Sequence, residues 1–257
     1  MHVNELFSLK GKTAIITGGS KGLGLMMAEG FAEAGANLVI CSRKIDQCEE
    51  AAATLRGLGV LCDAVRCDIA EQEDVKNLVE HTLERFGKID ILVNNAGISW
   101  GGELQDTPLK KWDQLYNTNV RGNYFCTTEV VPHMIAAGGG NIINIVSIGG
   151  VRSTDPAVVT FPAYASTKGA IIALTRHLAR NWAKHNVRVN AIAPGIFPTE
   201  ISKTLMVGPQ KAVMEAAVPL GRLGEKDDFK GAALFLASQA ASYVTGTVLW
   251  VDGGMLA

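Results

Sequence analysis

Short apolar runs rich in Val and Ile alternate with longer amphipathic stretches along almost the whole chain. The runs at 13–18 (TAIITG), 36–41 (ANLVIC), 60–68 (VLCDAVRCD), 90–97 (DILVNNAG), 141–147 (NIINIVS), 188–194 (RVNAIAP) and 247–252 (TVLWVD) read as strands. They are continuous rather than alternating, which suits strands covered on both faces. The stretches 22–34, 44–57, 72–86, 109–136, 163–184, 209–217 and 226–238 read as helices. Strand–helix alternation predicts βαβ units with right-handed crossovers, hence a doubly wound α/β fold on a parallel sheet. No Pro- or Ser-rich linker, repeat or low-complexity tract interrupts it, so 1–257 is expected to be a single domain. The stretch 196–224 breaks the rhythm. It follows a strand, mixes Phe, Met, Pro and Gly, and reads as a lid over a site or as an ordinary surface excursion.

Composition narrows the partners. Among 257 residues, 24 Lys and Arg face 25 Asp and Glu, a formal charge of −1. No field of either sign is present to gather nucleic acid or an anionic membrane. The start, MHVNELFSLKGK, carries no secretory pattern, and no stretch approaches the ~20 apolar residues of a membrane span. The five cysteines, Cys41, Cys48, Cys62, Cys67 and Cys126, are odd in number and contain no CxxC, and the five histidines are scattered. Reduced core thiols in a cytoplasmic protein, without a metal site, are the expectation.

Candidate chemistry begins where the first strand ends, in T-G-G-S-K-G-L-G at 17–24. Gly18, Gly22 and Gly24 suit a tight strand-to-helix turn and the close approach of a phosphate. The helix N-terminus behind them offers free N–H groups and a partial positive charge to a pyrophosphate. Three glycines at such offsets arise about 0.3 times by chance in a chain this rich in glycine, so their place after the first strand is what carries weight. NAD binders usually put an acid after the second strand, on the ribose 2′-hydroxyl. Here that strand runs into Ser42, Arg43 and Lys44. Arg43 suits a forked, charge-assisted pair with a 2′-phosphate, with Lys21 as a second cation, so NADP is the expected dinucleotide. An exposed helix start touching only water is the other reading of Arg43. Asp68 either meets an adenine amino group or caps the helix that begins near Glu71.

Tyr164 and Lys168 lie four residues apart at the start of a helical pattern, on one face. A free phenol has a pKa of about 10, and lowering it by about three units takes roughly 4 kcal/mol of preferential phenolate stabilisation. An adjacent ammonium in a poorly solvated cleft supplies energy on that scale. Tyr164 would then act as general acid toward a carbonyl and general base toward an alcohol, with Ser147 orienting the substrate oxygen.

Together these motifs resemble the short-chain dehydrogenase/reductase family. The residues concerned are 17–24, Asp68, N-N-A-G at 94–97, Asn119 in N-T-N, Ser147, Y-A-S-T-K at 164–168, P-G at 194–195, Thr199 and V-D-G-G at 251–254. The resemblance implies a Rossmann-type domain with a seven-stranded parallel sheet and a catalytic set of Asn119, Ser147, Tyr164 and Lys168. It implies NADP(H) contacts from Gly18, Ser20, Lys21, Gly22, Leu23, Gly24, Ser42, Arg43, Asp68, Ile69, Asn95, Ala96, Gly97, Tyr164, Lys168, Pro194, Gly195, Ile196 and Thr199. It also implies a homotetramer, built through 109–136, 163–184 and the C-terminal segment. The chain looks most like the 3-oxoacyl thioester reductases, including the rhamnolipid branch. Sixteen residues separate Ser147 from Tyr164, and this segment, with Arg152, Asp155 and Phe161, is expected to shape the pocket rim. Trp100, Phe161, Phe197 and Met206 are candidates for an apolar acyl pocket or for plain core. A reductase of a small carbonyl substrate is the leading expectation. A polyol or gluconate-like dehydrogenase and a non-catalytic nucleotide-binding regulator are the alternatives.

Overall fold

Consecutive Val, Ile and Leu side chains find cover on both sides only inside a sheet flanked by helices. The computed structural model describes residues 1–153, 160–198 and 209–257. In chain order its elements are α1 (Val3–Leu6), β1 (Thr13–Thr17), α2 (Gly22–Glu33), β2 (Asn37–Ser42), α3 (Ile45–Arg56), β3 (Cys62–Arg66) and α4 (Gln72–Phe86). They continue with β4 (Ile91–Asn94), α5 (Leu109–Tyr116), a π-helical turn (Asn117–Gly122), α6 (Asn123–Ala136), β5 (Gly140–Ile145) and α7 (Pro162–Trp182). The last are β6 (Val187–Pro194), α8 (Pro209–Ala216), α9 (Lys226–Ala237) and β7 (Val248–Val251).

The seven strands form one sheet in the order β3-β2-β1-β4-β5-β6-β7, parallel throughout. One face packs on Met27 and Phe31 of α2, Leu55 of α3, and Phe229 and Leu236 of α9. The other packs on Val75 and Leu78 of α4, Val130 and Met134 of α6, and Ala179 of α7. The chain walks outward from β1 to β3, then returns to lay β4 against the other side of β1. Neighbouring connections therefore leave in opposite directions at the β1–β4 boundary, which opens a crevice at the carboxyl edge. All five cysteines are free and buried. Among the described residues no helix is long and apolar enough to cross a membrane.

Several expected elements differ, the strand over 60–68 shrinking to Cys62–Arg66. The single helix over 109–136 is α5 and α6 joined by the π-helical turn. Asn119 binds the Ile98 backbone through both its amide and its oxygen, and Gly122 packs directly on Ile69. Those two fixed points hold the wider turn in place, a feature often found at functional sites. The expected strand over 90–97 ends early at Asn94, because the N–H groups of Asn95 and Ala96 turn to Thr17 Oγ1, both at 3.0 Å. The expected lid over 196–224 contains α8, and its residues 199–208 lie outside the described residues.

A buried polar knot ties β4, β5, α6 and α7 together. Asn144 of β5 accepts from Asn94 of β4 at 3.0 Å and from Asn123 of α6 at 3.1 Å, and donates to Thr175 of α7 at 2.9 Å. Unpaired buried donors cost about 1–3 kcal/mol each. Asn144→Leu is therefore expected to lower stability by about 3 kcal/mol, read as a lower urea midpoint at unchanged slope.

Candidate active site

In a parallel sheet every strand ends on the same edge. The glycine loop after β1, Ser42 and Arg43 at β2, Asp68 after β3, Asn95–Gly97 after β4, Ser147 after β5 and Pro194–Gly195 at β6 therefore share one rim.

The glycine loop is built as its sequence suggests. Gly18 and Gly22 have φ of +65° and +55°, the left-handed region where a side chain is strained. At Gly24 a Cβ would stand 2.2 Å from Gly18 O and 2.6 Å from Asn95 Nδ2, so α2 packs backbone to backbone on the loop. Asn95 Nδ2 donates to Thr17 O at 2.8 Å and Gly18 O at 3.1 Å, binding the loop to the end of β4. Lys21 is the N-cap of α2, whose first turn has no side-chain cap and no acidic residue. Ser20 and Leu23 flank that N-terminus. The N–H groups and dipole there suit an anionic ligand.

Beside the loop, Gly18 N donates to Cys41 O at 2.8 Å, which sets β2 and its exposed Arg43 next to the glycines. Ser42 is tied into its own turn through Lys44 N at 3.2 Å. Of the two readings of Asp68, helix capping is not realised. The N-cap of α4 is Glu71, while Asp68 Oδ1 accepts from Ala70 N at 3.1 Å in a local turn. Asp74, reaching back to Asp68 N at 2.9 Å, does the work of holding the helix start. Ile69 is core, packed against Gly122.

On the other side of the crevice, Tyr164 and Lys168 share one face of α7. Lys168 Nζ sits over the Tyr164 ring, 5.6 Å from its centroid, and donates to Ile145 O at 2.8 Å. Ser147 hydrogen-bonds the phenol and caps the short turn 148–150, accepting from Gly149 N at 3.2 Å. Asn119 Nδ2 donates to Ile98 O at 2.9 Å and Thr167 Oγ1 at 3.1 Å, and its oxygen accepts from Ile98 N at 2.9 Å. A Cβ on Gly97 would stand 3.1 Å from Asn119 Oδ1 and 3.7 Å from Lys168 Nζ, so the glycine leaves room between the carboxamide and the ammonium. The structure thus brings Asn119, Ser147, Tyr164 and Lys168 together.

Their electrostatics differ from the expectation. Burial pushes the Tyr164 phenol up to about 12, opposed only by the Ser147 hydrogen bond. Burial pushes the Lys168 ammonium down to about 8. The ammonium faces the ring and the Ile145 carbonyl, so it does not deliver the expected lowering of the phenol. In this arrangement the phenol keeps its proton throughout the neutral range.

Near the rim, Pro194 closes β6, Gly195 N donates to Val251 O at 2.9 Å, and Ile196 O accepts from Gly224 N at 3.0 Å. Asp155, Thr199 and Met206 lie outside the described residues. Phe197 is core: its ring meets Phe229 edge-on at 5.2 Å and fills the space a Cβ of Gly224 would need. Phe161 does flank the site, edge-on to Tyr164 at 5.6 Å. Half-buried Trp100 lies under Lys111 Nζ at 5.1 Å, and Gly102 N donates to Thr160 O at 2.9 Å, joining the two rim segments.

Residues 18–256 match the family described as Enoyl-(Acyl carrier protein) reductase. The chain is 37% identical to gluconate 5-dehydrogenase of Gluconobacter oxydans, covering 98% of this chain and 97% of that one. It is 35% identical to the rhamnolipids biosynthesis 3-oxoacyl-[acyl-carrier-protein] reductase of Pseudomonas aeruginosa, covering 98% and 99%. A crystal structure of a gluconate 5-dehydrogenase from Burkholderia cenocepacia, in complex with NADP and tartrate, superposes with a TM-score of 0.93 at 38% identity over 99% of both chains. The chain belongs to the short-chain dehydrogenase/reductase family. It is an oxidoreductase of the alcohol–carbonyl pair.

Short-chain dehydrogenase/reductase motifs do not by themselves reveal three structural supports. Thr17 Oγ1 receives two N–H groups of the β4 loop. Gly149 and Gly150 have no side chains because a Cβ would strike Phe161 at 2.4 Å and Lys168 Cβ at 2.8 Å. Thr167 anchors Asn119. The glycine pair one residue beyond Ser147 is the one signal in the sequence for the second support; the others depend on contacts distant along the chain.

The lowered Lys168 has a stability consequence. Between pH about 8 and 10.5 the unfolded state binds more protons at this site than the folded state, so its contribution to stability rises with pH. Lys168→Met is expected to be more stable than wild type by about 2 kcal/mol at pH 7, with the difference fading as pH climbs through that window. Urea melts at several pH values measure this; parallel pH dependences for the two proteins would contradict it.

Proposed function

We propose that the chain is an NADP(H)-dependent ketoreductase whose substrate carbonyl belongs to a 3-oxoacyl thioester or a related ketone. The supporting observation is the Tyr164 phenol, hydrogen-bonded to Ser147 beside the buried Lys168 ammonium, at the carboxyl edge of the sheet.

The chain's residues fit the dinucleotide. The backbone at Gly18 and Ser20–Gly24 would cradle the pyrophosphate, with Lys21 at the helix start. Arg43, exposed and without an ion pair among the described residues, would take the 2′-phosphate. Ser42, Asp68 and Ile69 would border the adenosine, and Asn95, Ala96 and Gly97 its ribose. Tyr164 and Lys168 would meet the nicotinamide ribose, and Pro194, Gly195, Ile196 and Thr199 the carboxamide end. When bound, the dinucleotide supplies or accepts a hydride.

The protein's own task is proton management. Ser147 orients the substrate oxygen and Tyr164 gives it a proton. A phenol held at about 12 is protonated at neutral pH, the form that a carbonyl reduction draws on, and the hydrogen bond from Ser147 is what opposes the rise. Phe161 and Trp100 give the rim an apolar lining suited to an acyl group. The stretch 196–224 would act as the lid, and exposed Leu109, Tyr124 and Trp250 suit burial in a homotetramer. The gluconate 5-dehydrogenase relatives support a second reading, a sugar-acid dehydrogenase. Parallel assays of acetoacetyl thioesters and polyols separate the two: activity confined to polyols overturns the first.

Tyr164→Phe keeps the ring and removes the proton, so kcat for carbonyl reduction is expected to fall at least about 100-fold. Full activity in that variant would remove Tyr164 from the chemistry. Arg43→Ala is expected to raise the NADPH Kd about 10- to 100-fold while leaving NADH affinity nearly unchanged, by fluorescence titration.

A further inference from the structure

Two hydroxyl residues, Ser166 and Thr167, stand between Tyr164 and Lys168. Each donates to the carbonyl three residues back, Ser166 Oγ to Ala163 and Thr167 Oγ1 to Tyr164, both at 2.7 Å. Such back-bonding is a local habit of Ser and Thr in helices. Each also accepts from another element, Ser166 Oγ taking the Tyr116 phenol of α5 at 3.1 Å. Thr167 lies deeper. It is fully buried and accepts from Asn119 Nδ2 at 3.1 Å.

Every proton in this chain of bonds has one destination. The Thr167 hydroxyl proton is committed to the Tyr164 carbonyl, so toward Asn119 the oxygen can only accept. The Asn119 amide divides its two hydrogens between Thr167 and Ile98 O, and its oxygen takes Ile98 N. Thr167 Oγ1 thereby joins the backbone of Tyr164 to the π-helical turn and to the loop after β4.

We propose that Thr167 is a positioning residue that sets the rotation of α7 about its own axis, and with it the place of the Tyr164 phenol. Lys168 reaches Ile145 O through a long stem that tolerates a turned helix. The rigid phenol does not: about 10° of helix rotation carries its oxygen about 1 Å, a displacement that costs catalysis heavily. Thr167 touches neither substrate nor reacting atoms and acts only through Tyr164 and Asn119. The inference rests on the proposed role of Tyr164 as proton donor.

Thr167→Val replaces the buried hydroxyl with a methyl of the same shape, and Thr167→Ser keeps the hydroxyl. For Thr167→Val, kcat with NADPH and the carbonyl substrate is expected to fall about 10- to 100-fold, with KM and the NADPH Kd within about twofold of wild type. Thr167→Ser is expected to recover kcat to within about threefold. Wild-type kcat in Thr167→Val, equal impairment of Thr167→Ser, or losses of NADPH affinity matching those of kcat would each overturn the positioning role. Should Thr167→Val fail to fold, Thr167→Ala is read by the same criteria. Tyr164→Phe assayed alongside keeps the two readings apart. An active Tyr164→Phe removes the proton donor itself, whereas an inactive one beside a fully active Thr167→Val removes only the role of Thr167.

Discussion

A charged amine buried against a sheet is the constraint around which the site is organised. Lys168 is only 6% exposed, and its ammonium donates to the carbonyl of Ile145, where β5 ends. That bond holds the ammonium at the end of β5. Tyr164, one turn earlier on the same face of α7, stands beside Ser147, two residues beyond Ile145. The glycines at 149 and 150 make the approach possible, since side chains there would collide with Phe161 and Lys168. Burial of the amine and of the phenol moves both away from their ordinary ranges in the direction that keeps each less charged.

A second set of contacts serves the nucleotide side. There the carboxamide of Asn95 and the hydroxyl of Thr17 bind the glycine loop to the β4 loop, across the boundary where the strand order reverses. Asn119 has the same role further along the crevice, holding Ile98 and Thr167. Three side-chain amides or hydroxyls, each bonded to backbone from a distant segment, thus keep the crevice open while the elements around it pack closely. Polar groups committed in this way are well paired despite their burial, so they add definition without a large desolvation penalty.

Much of this is legible in the chain itself. Short, largely apolar runs and their alternation with amphipathic stretches locate all seven strands and the parallel sheet, because a run of that length between helices finds cover on both faces inside a sheet. The glycine offsets, the Tyr–Lys spacing and Ser147 at a strand end identify residues that meet at the rim. Boundaries are less legible. The helix over 109–136 contains a π-helical turn because Asn119 and Gly122 answer to Ile98 and Ile69, more than 20 and 50 residues away in the chain. For Phe197 and Asp68 the sequence leaves two readings open for a related reason. Whether a ring faces a pocket or a core, and whether a carboxylate caps a helix or closes a turn, depends on neighbours that spacing does not specify.

The amino-acid order alone determined periodicity, turn chemistry and charge type, properties that act over a few residues and are written in consecutive side chains. These settled the fold class, the dinucleotide turn and the cation after β2. Only the tertiary structure decided the direction in which the Lys168 ammonium points, the high affinity of the Tyr164 phenol for its proton, and the partners of Asn119 and Thr167. Each of those depends on burial and on groups brought together by packing, and desolvation is a property of a place in the folded molecule rather than of a residue in a list.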